Sequence, residues 1–222
     1  MHQISNYVYA HDDLLGWDIP TKRLPNPYYD FPYMLISNVL SLSECEAITS
    51  FIQNTSEKYT ASLRGSEVNK NVRKTDLYTL PLEYTSLYQV RFDTLRTEIE
   101  TFFSLSLTRS TPLQVLGYEE GAFYVKHSDD SSELRDFHGE TIGYVSIAPE
   151  RKLSTVLFVN DSFEGGELLF NYLYDDQTRR VKVKPKAGDM LVFLSNPYFS
   201  HEVLPVTKGF RLSFVQWHDA LL

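Results

Sequence analysis

From Pro112 onward the chain is a series of short apolar runs, each closed by a turn signal. Leu113–Tyr118 and Ala122–Asp129 flank the turn Glu119-Glu120-Gly121. Leu153–Val159 leads into Asn160-Asp-Ser-Phe-Glu-Gly165-Gly166, and Glu167–Phe170 follows. Asp175-Asp176 precede Arg180–Val183, Pro185 and Gly188 precede Met190–Leu194, and His201–Val206 and Phe210–Trp217 close the series. Aromatic residues make up 14% of the chain, a composition that suits pleated surfaces. Many short strands with regularly spaced turns predict an antiparallel barrel or jelly roll.

The first half reads differently. Residues 1–30 are polar, carry Pro20, Pro25 and Pro27, and predict an extended arm over the surface. Phe31–Ser37 is a short strand candidate. Ser43 with Glu46 three residues on forms a capping box that opens a helix, with Ile48, Phe51 and Ile52 as its apolar stripe. A second helix spans Glu83–Phe103, where Tyr88, Phe92, Leu95, Ile99 and Phe102 recur at steps of four and three. Thr75–Leu80 is a strand. Residues 57–73 and 130–150 are polar and read as loops, the latter with one apolar piece, Ile142–Ile147. The sharper expectation makes both loops mobile lids. The chain is therefore expected to form one mainly β (α+β) domain over 1–222. An arm and helical lead-in occupy 1–111 and a jelly-roll core occupies 112–222, with the helices packed on one outer face.

Net charge is −8, and this acidic balance disfavours a partner with a phosphate backbone. No nucleic acid is expected. No run approaches the roughly 18 apolar residues of a membrane span, and the N-terminus lacks a signal-peptide pattern. The single cysteine, Cys45, excludes an internal disulfide framework and fits a reducing, cytoplasmic compartment.

Within the β region lies a chemical constellation. His127 and Asp129 are two apart, so a strand places both side chains on one face, while Asp130 turns to the other. His201 opens a distant strand. Two imidazoles and one carboxylate form the facial triad of non-heme Fe(II) oxygenases, which leaves coordination positions open. Arg211, ten residues past His201, offers a planar fork for a carboxylate, and Ser213 shares its face. His2, His11, His138 and His218 have no comparable setting. Tyr118, Tyr124 and Trp217 are open between core packing and contact with a pocket. Gly165-Gly166 reads as a turn with positive φ.

These residues resemble the Fe(II)/2-oxoglutarate dioxygenases of the prolyl 4-hydroxylase type. The matching pieces are Tyr118-x-x-Gly121-x-x-Tyr124-x-x-His127-x-Asp129, Arg151-x-x-Ser-Thr155-Val-Leu-Phe-Val-Asn160 and Phe163-Glu-Gly165-Gly166-Glu-Leu168. Pro185-x-x-Gly188-x-x-Leu-x-Phe193 follows, then His201-Glu-Val203-x-Pro205-Val-x-x-Gly209-x-Arg211, ending at Trp217. The match covers 112–217 well and the lead-in more loosely.

The resemblance implies a double-stranded β-helix that holds Fe(II) at its mouth through His127, Asp129 and His201. It implies 2-oxoglutarate as co-substrate and O2 as oxidant, with ascorbate a candidate stimulant. The distal carboxylate of 2-oxoglutarate would meet Arg211, where many relatives have Lys, assisted by Ser213 and Tyr118. Phe158 stands where relatives often have Tyr, which removes one hydrogen-bond donor. Tyr124 and Trp217 are pocket candidates. Asp129 argues for hydroxylation, because related halogenases lack that carboxylate. The implied activity is hydroxylation of an unactivated C–H on a prolyl or other residue of a peptide or protein. A free amino acid or small metabolite is the alternative substrate. A non-catalytic metal-binding jelly roll is the alternative of another class.

Overall fold

The computed structural model describes residues 1–5, 7–11, 33–54, 58–60, 73–184 and 186–221. Two sheets face each other as a jelly roll. The larger runs in the order Tyr33–Ile36, Met190–Leu194, Arg151–Phe158, Arg211–Leu221, Gln114–Tyr118, Asp76–Tyr78, Lys58–Thr60. Ser106–Ser110, which the sequence reading did not anticipate, also pairs with the final strand. The smaller sheet runs Arg180–Val183, Leu168–Tyr174, His201–Val203, Phe123–His127, Arg73–Lys74.

The final strand shows how the pleat divides labour. Arg211, Ser213, Val215 and Trp217 line a pocket between the sheets. Phe214 and His218, of the opposite parity, meet the outer helix. Phe214 lies edge-on to Tyr88, and His218 stacks on Phe92 with centroids 4.4 Å apart.

Helix α1 spans Leu42–Asn54 and α2 spans Leu82–Phe103. The capping box of α1 lies two residues earlier than the sequence reading placed it. Ser41 Oγ accepts from the Glu44 N–H at 3.2 Å, and Glu44 Oε2 accepts from the Ser41 N–H at 2.7 Å. Both serine-glutamate pairs have the required spacing. The earlier one operates because the Val39 and Leu40 amides donate to the Gly188 carbonyl, which pins the chain just before the turn. The stripe of α1 is Cys45, Ile48 and Ile52, and Phe51 stays exposed. On α2 the buried residues are Tyr88, Phe92, Ile99 and Phe103, with Phe102 at the surface. A repeat of seven drifts about 20° per repeat on a straight helix, so by the third repeat the neighbouring residue faces inward.

Two loop expectations are corrected. The first residues are not a free arm: His2–Gln3 and Val8–Ala10 join Thr141–Ser146 and Ser131–Arg135 in a four-stranded sheet. Segment 130–150 is accordingly a hairpin rather than an irregular loop. Its polar residues occupy strand positions that face solvent or a half-buried ion pair, as Glu133 does with Lys126 at 3.1 Å. Gly143 makes the pairing possible, since a Cβ there would stand 2.3 Å from the Tyr9 carbonyl oxygen. Of segment 57–73, Lys58–Thr60 is a strand and Arg73 begins another. The lid expectation for 61–72, and the arm expectation for 12–30, lie outside the described residues.

His218 is fully buried between the Ser110 and Thr155 hydroxyls, 2.8 and 3.1 Å from its ring nitrogens. Burial pushes its pKa down to about 3 from 6.5, helped by nearby Arg96. The folded chain therefore keeps it neutral while the unfolded chain protonates it. Its contribution to stability is complete above pH 6.5 and is lost as pH falls from 6.5 toward 3. At about 1.4 kcal/mol per pH unit, stability at pH 5 is expected about 2 kcal/mol below that at pH 8 from this group alone. Denaturant titrations should show His218→Gln losing that much less over the same range; equal losses in both proteins would refute the assignment.

Candidate metal centre and its pocket

His127 and His201 sit directly opposite each other on adjacent antiparallel strands. Directly opposed side chains are the nearest neighbours a sheet offers. Their ring centroids are 4.3 Å apart. Each ring is fixed through its Nδ1, which donates to a main-chain carbonyl: His127 to Val125 at 2.9 Å, His201 to Phe199 at 3.0 Å. Only a protonated Nδ1 can donate to a carbonyl, so in the neutral ring Nε2 is the nitrogen left with a lone pair for a metal. Burial, followed by the neighbouring His201, pushes the His127 pKa down to about 3, and the ring is neutral as a metal ligand must be.

Asp129 completes the group. One ligand atom from each of His127, Asp129 and His201 lies within 4.8 Å of the others. Asp129 Oδ1 is 3.5 Å from His127 Nε2, and Oδ2 accepts from Ser154 Oγ at 2.6 Å. Burial pushes this carboxyl up, but the two imidazoles, the Ser154 hydroxyl and Arg151 outweigh it, and the net direction is down. Two imidazoles and a carboxylate on one side suit a divalent ion that takes N and O ligands and keeps open positions. The strand expected over Ala122–Asp129 ends at His127, so strand alternation does not reach Asp129 and Asp130; the bend after it still turns Asp130 elsewhere, where its Oδ1 accepts from Ser128 and Ser131.

Arg211 lines the same pocket and is 1% exposed. It lies opposite Tyr118 in the sheet, and its guanidinium carbon stands 4.8 Å from the Tyr118 ring centre and 5.7 Å from that of Phe158. Nη1 donates to Ser213 Oγ at 2.8 Å, while Nε has no hydrogen-bond partner. Among the described residues no carboxylate pairs with this cation. A buried charge without a counter-charge is costly, so the pocket is built to receive an anion. The glycine pair has a further role here. Gly166 has φ +65°, and a Cβ on it would lie 2.9 Å from Arg211 Cδ, so glycine makes room for the arginine stem.

Tyr124 stacks on the His127 ring at 3.7 Å, with Arg73 over it at 4.8 Å. Trp217 carries Arg151 over its ring at 4.2 Å, and Arg151 also donates to the Asp129 carbonyl. The sequence reading gives no site role to Arg73, Arg151, Ser154 or Ser195, although Arg151 and Ser154 stand in one of the pieces that carry the resemblance; the folded sheets bring all four to the triad. A larger hollow of about 450 Å³ opens between the N-terminal strands and Glu150–Lys152. It shares Arg151 with the surroundings of the triad but contains none of the three ligands.

The model of the 2OG-Fe(II) oxygenase superfamily matches residues 113–219. A PKHD-type hydroxylase of Herminiimonas arsenicoxydans is 30% identical over 166 residues, covering 74% of this chain and 67% of that protein. Human prolyl 3-hydroxylase 2 is 42% identical over 67 residues, 30% of this chain; the matched part spans only 9% of that protein's length. Among solved structures, a Pseudomonas putida prolyl-4-hydroxylase superposes with a TM-score of 0.66 at 24% identity, covering 86% of this chain and 95% of that one. A Trichoplax adhaerens prolyl hydroxylase, solved with a hypoxia-inducible-factor peptide fragment, superposes at 0.67 with 18% identity and 86% coverage of each. At these identities the two superpositions establish the jelly-roll fold. The sequence matches, on a chain that brings the two histidines and the aspartate of a facial triad together, go further: the chain belongs to the 2OG-Fe(II) oxygenase superfamily, whose enzymes use Fe(II), 2-oxoglutarate and O2, and resembles its prolyl 4-hydroxylase and PKHD-type members.

Proposed function

We propose that this protein is a 2-oxoglutarate-dependent hydroxylase of a prolyl or other residue in a polypeptide. The observation that carries the proposal is the pairing, in one pocket, of an open-sided ligand triad with a buried arginine that has no anionic partner among the described residues. Three ligand atoms alone fit many metals. A cation at the end of the same pocket asks for a carboxylate whose other end can reach the metal, and 2-oxoglutarate has that shape.

In this reading His127, Asp129 and His201 hold Fe(II). Arg211 receives the distal carboxylate of 2-oxoglutarate, with Ser213 and Tyr118 bordering it. Tyr118 offers its ring face to the guanidinium and thereby orients the fork. Bound Fe(II), with 2-oxoglutarate and O2, supplies the oxidising power for placing a hydroxyl on a C–H bond, with succinate and CO2 released. The chain's part is to orient and to exclude water. The pocket is narrow and lined by both sheets, with Arg211 and Ser213 in the same lining as His127, Asp129 and His201. Tyr124 and Trp217, each capped by an arginine, border the pocket on the side we assign to substrate.

A polypeptide substrate is supported by the names of the relatives, which include prolyl hydroxylases, and by the peptide bound to the Trichoplax protein. A free amino acid remains the competing substrate. A cytoplasmic setting is proposed on the single, buried Cys45. Succinate formation with proline-containing peptides, against free amino acids, tests the substrate class. Turnover of the amino acids alone would overturn the peptide reading.

Two variants test the site. His201→Ala is expected to lose stoichiometric Fe(II) or Co(II) binding, read by equilibrium dialysis; full retention would remove the triad assignment. Arg211→Ala is expected to keep the metal and to raise the 2-oxoglutarate requirement roughly thirtyfold or more, since losing one partner of a buried charge pair costs about 2–5 kcal/mol. Arg211→Lys should fall between, because it keeps the charge but loses the fork. An unchanged requirement in Arg211→Ala would show that the co-substrate lies elsewhere.

A further inference from the structure

Asp129 has two carboxylate oxygens, and the fold treats them differently. Oδ1 faces His127, 3.5 Å from its Nε2. Oδ2 is gripped by Ser154 Oγ at 2.6 Å. Ser154 belongs to the opposite sheet and is fully buried. Its one hydroxyl proton goes to the carboxylate, so the 2.8 Å contact between the Ser154 and Ser195 hydroxyls must be donated by Ser195. The chain of donation is therefore directional: Ser195 to Ser154 to Asp129.

Ser195 holds the same segment a second way. Its carbonyl accepts from the Asp130 N–H at 3.1 Å and from Ser128 Oγ at 3.0 Å, gripping the residues on both sides of Asp129. Six residues later the chain reaches His201, so this serine ties the entry to one ligand to the backbone of another. For Oδ2 to swing toward a metal, it would have to leave Ser154 and strand a buried hydroxyl. An unsatisfied buried donor is the expensive side of any hydrogen-bond exchange.

Building on the metal reading above, we propose that Ser154, backed by Ser195, restricts Asp129 to coordination through Oδ1 alone and so keeps open a metal position that a two-oxygen carboxylate would occupy. Ser154 is a positioning residue, since it acts only through Asp129. The open position is one that a chelating oxo-acid needs.

The test uses the full chain loaded with Co(II) under anaerobic conditions. Two quantities are read: the visible Co(II) absorption, which reports coordination number, and the affinity of the loaded protein for 2-oxoglutarate. Ser154→Ala is expected to change the absorption and to lower 2-oxoglutarate affinity about tenfold or more, within the range for losing an outer partner of a metal ligand. Ser154→Thr, which keeps the hydroxyl, is expected to restore both. A folded Ser154→Ala protein with wild-type absorption or wild-type 2-oxoglutarate affinity overturns the proposal. Should Ser154→Ala fail to fold, Ser195→Ala removes the donor behind Ser154 and decides on the same two readings. A wild type that binds no Co(II) overturns the metal reading and this inference together. A wild type that binds, with the variants unchanged, overturns the inference alone.

Discussion

His127 and His201 face each other across neighbouring antiparallel strands, and the site depends on that register. A slip of one residue would send one imidazole to the far side of the sheet, because side chains alternate strictly along a strand. The register is protected on both sides. Phe123–His127 also pairs with Arg73–Lys74, and His201–Val203 also pairs with Leu168–Tyr174. Both strands are thus interior to their sheet. The two Nδ1–carbonyl bonds then fix ring rotation, which strand pairing alone would leave free.

Asp129 adds a constraint of another kind. It stands just beyond the end of its strand in the smaller sheet, yet its carboxylate is held by Ser154 in the larger one. The metal ligands therefore also measure the separation of the sheets. Sheet separation is in turn set by apolar packing, with buried Phe193 of the larger sheet edge-on to buried Phe170 of the smaller one at 5.3 Å, beside buried Leu168. Core packing and ligand geometry are coupled: a change that thickens the core moves Ser154 away from Asp129. The final strand makes the same coupling in its own pleat. Its inward face carries Arg211 and Ser213, and its outward face packs on α2 through Phe214 and His218. Helix α2 on the outer face thereby packs against the same strand that carries Arg211 on its inner face.

The parts of this protein that were legible in advance depend on short-range geometry. The two-residue gap between His127 and Asp129 predicts a shared face on a strand; the strand ends at His127, and Asp129 joins the imidazoles from the bend just beyond it. The ten-residue gap from His201 to Arg211 spans two short strands, His201–Val203 and Val206–Lys208, before the final strand opens. Where two short-range solutions competed, tertiary contacts chose. Ser41 with Glu44, and Ser43 with Glu46, are equal by spacing, and the Gly188 carbonyl decided between them. Phe102 and Phe103 differ by how a straight helix drifts against a repeat of seven. The polar stretch after Asp129 became a hairpin because the first residues of the chain supply it with a neighbouring strand.

The sequence by itself determined the chemistry on offer: a ligand set of two imidazoles and a carboxylate, a distal cation, and a β-rich frame able to carry them. Those are properties of residue type and local period. Only the tertiary structure decided that Ser154 and Ser195 restrain Asp129, that Arg73 and Arg151 cap the aromatic rings of the pocket, and that Gly166 makes space for Arg211. The reason is physical. Ser154 and Asp129 are 25 residues apart and Gly166 and Arg211 are 45 apart, and nothing in residue identity at such separations states which strands will lie side by side. Pairing across and between sheets is settled by the whole core at once, so the partners of a functional residue become visible only after that core has formed.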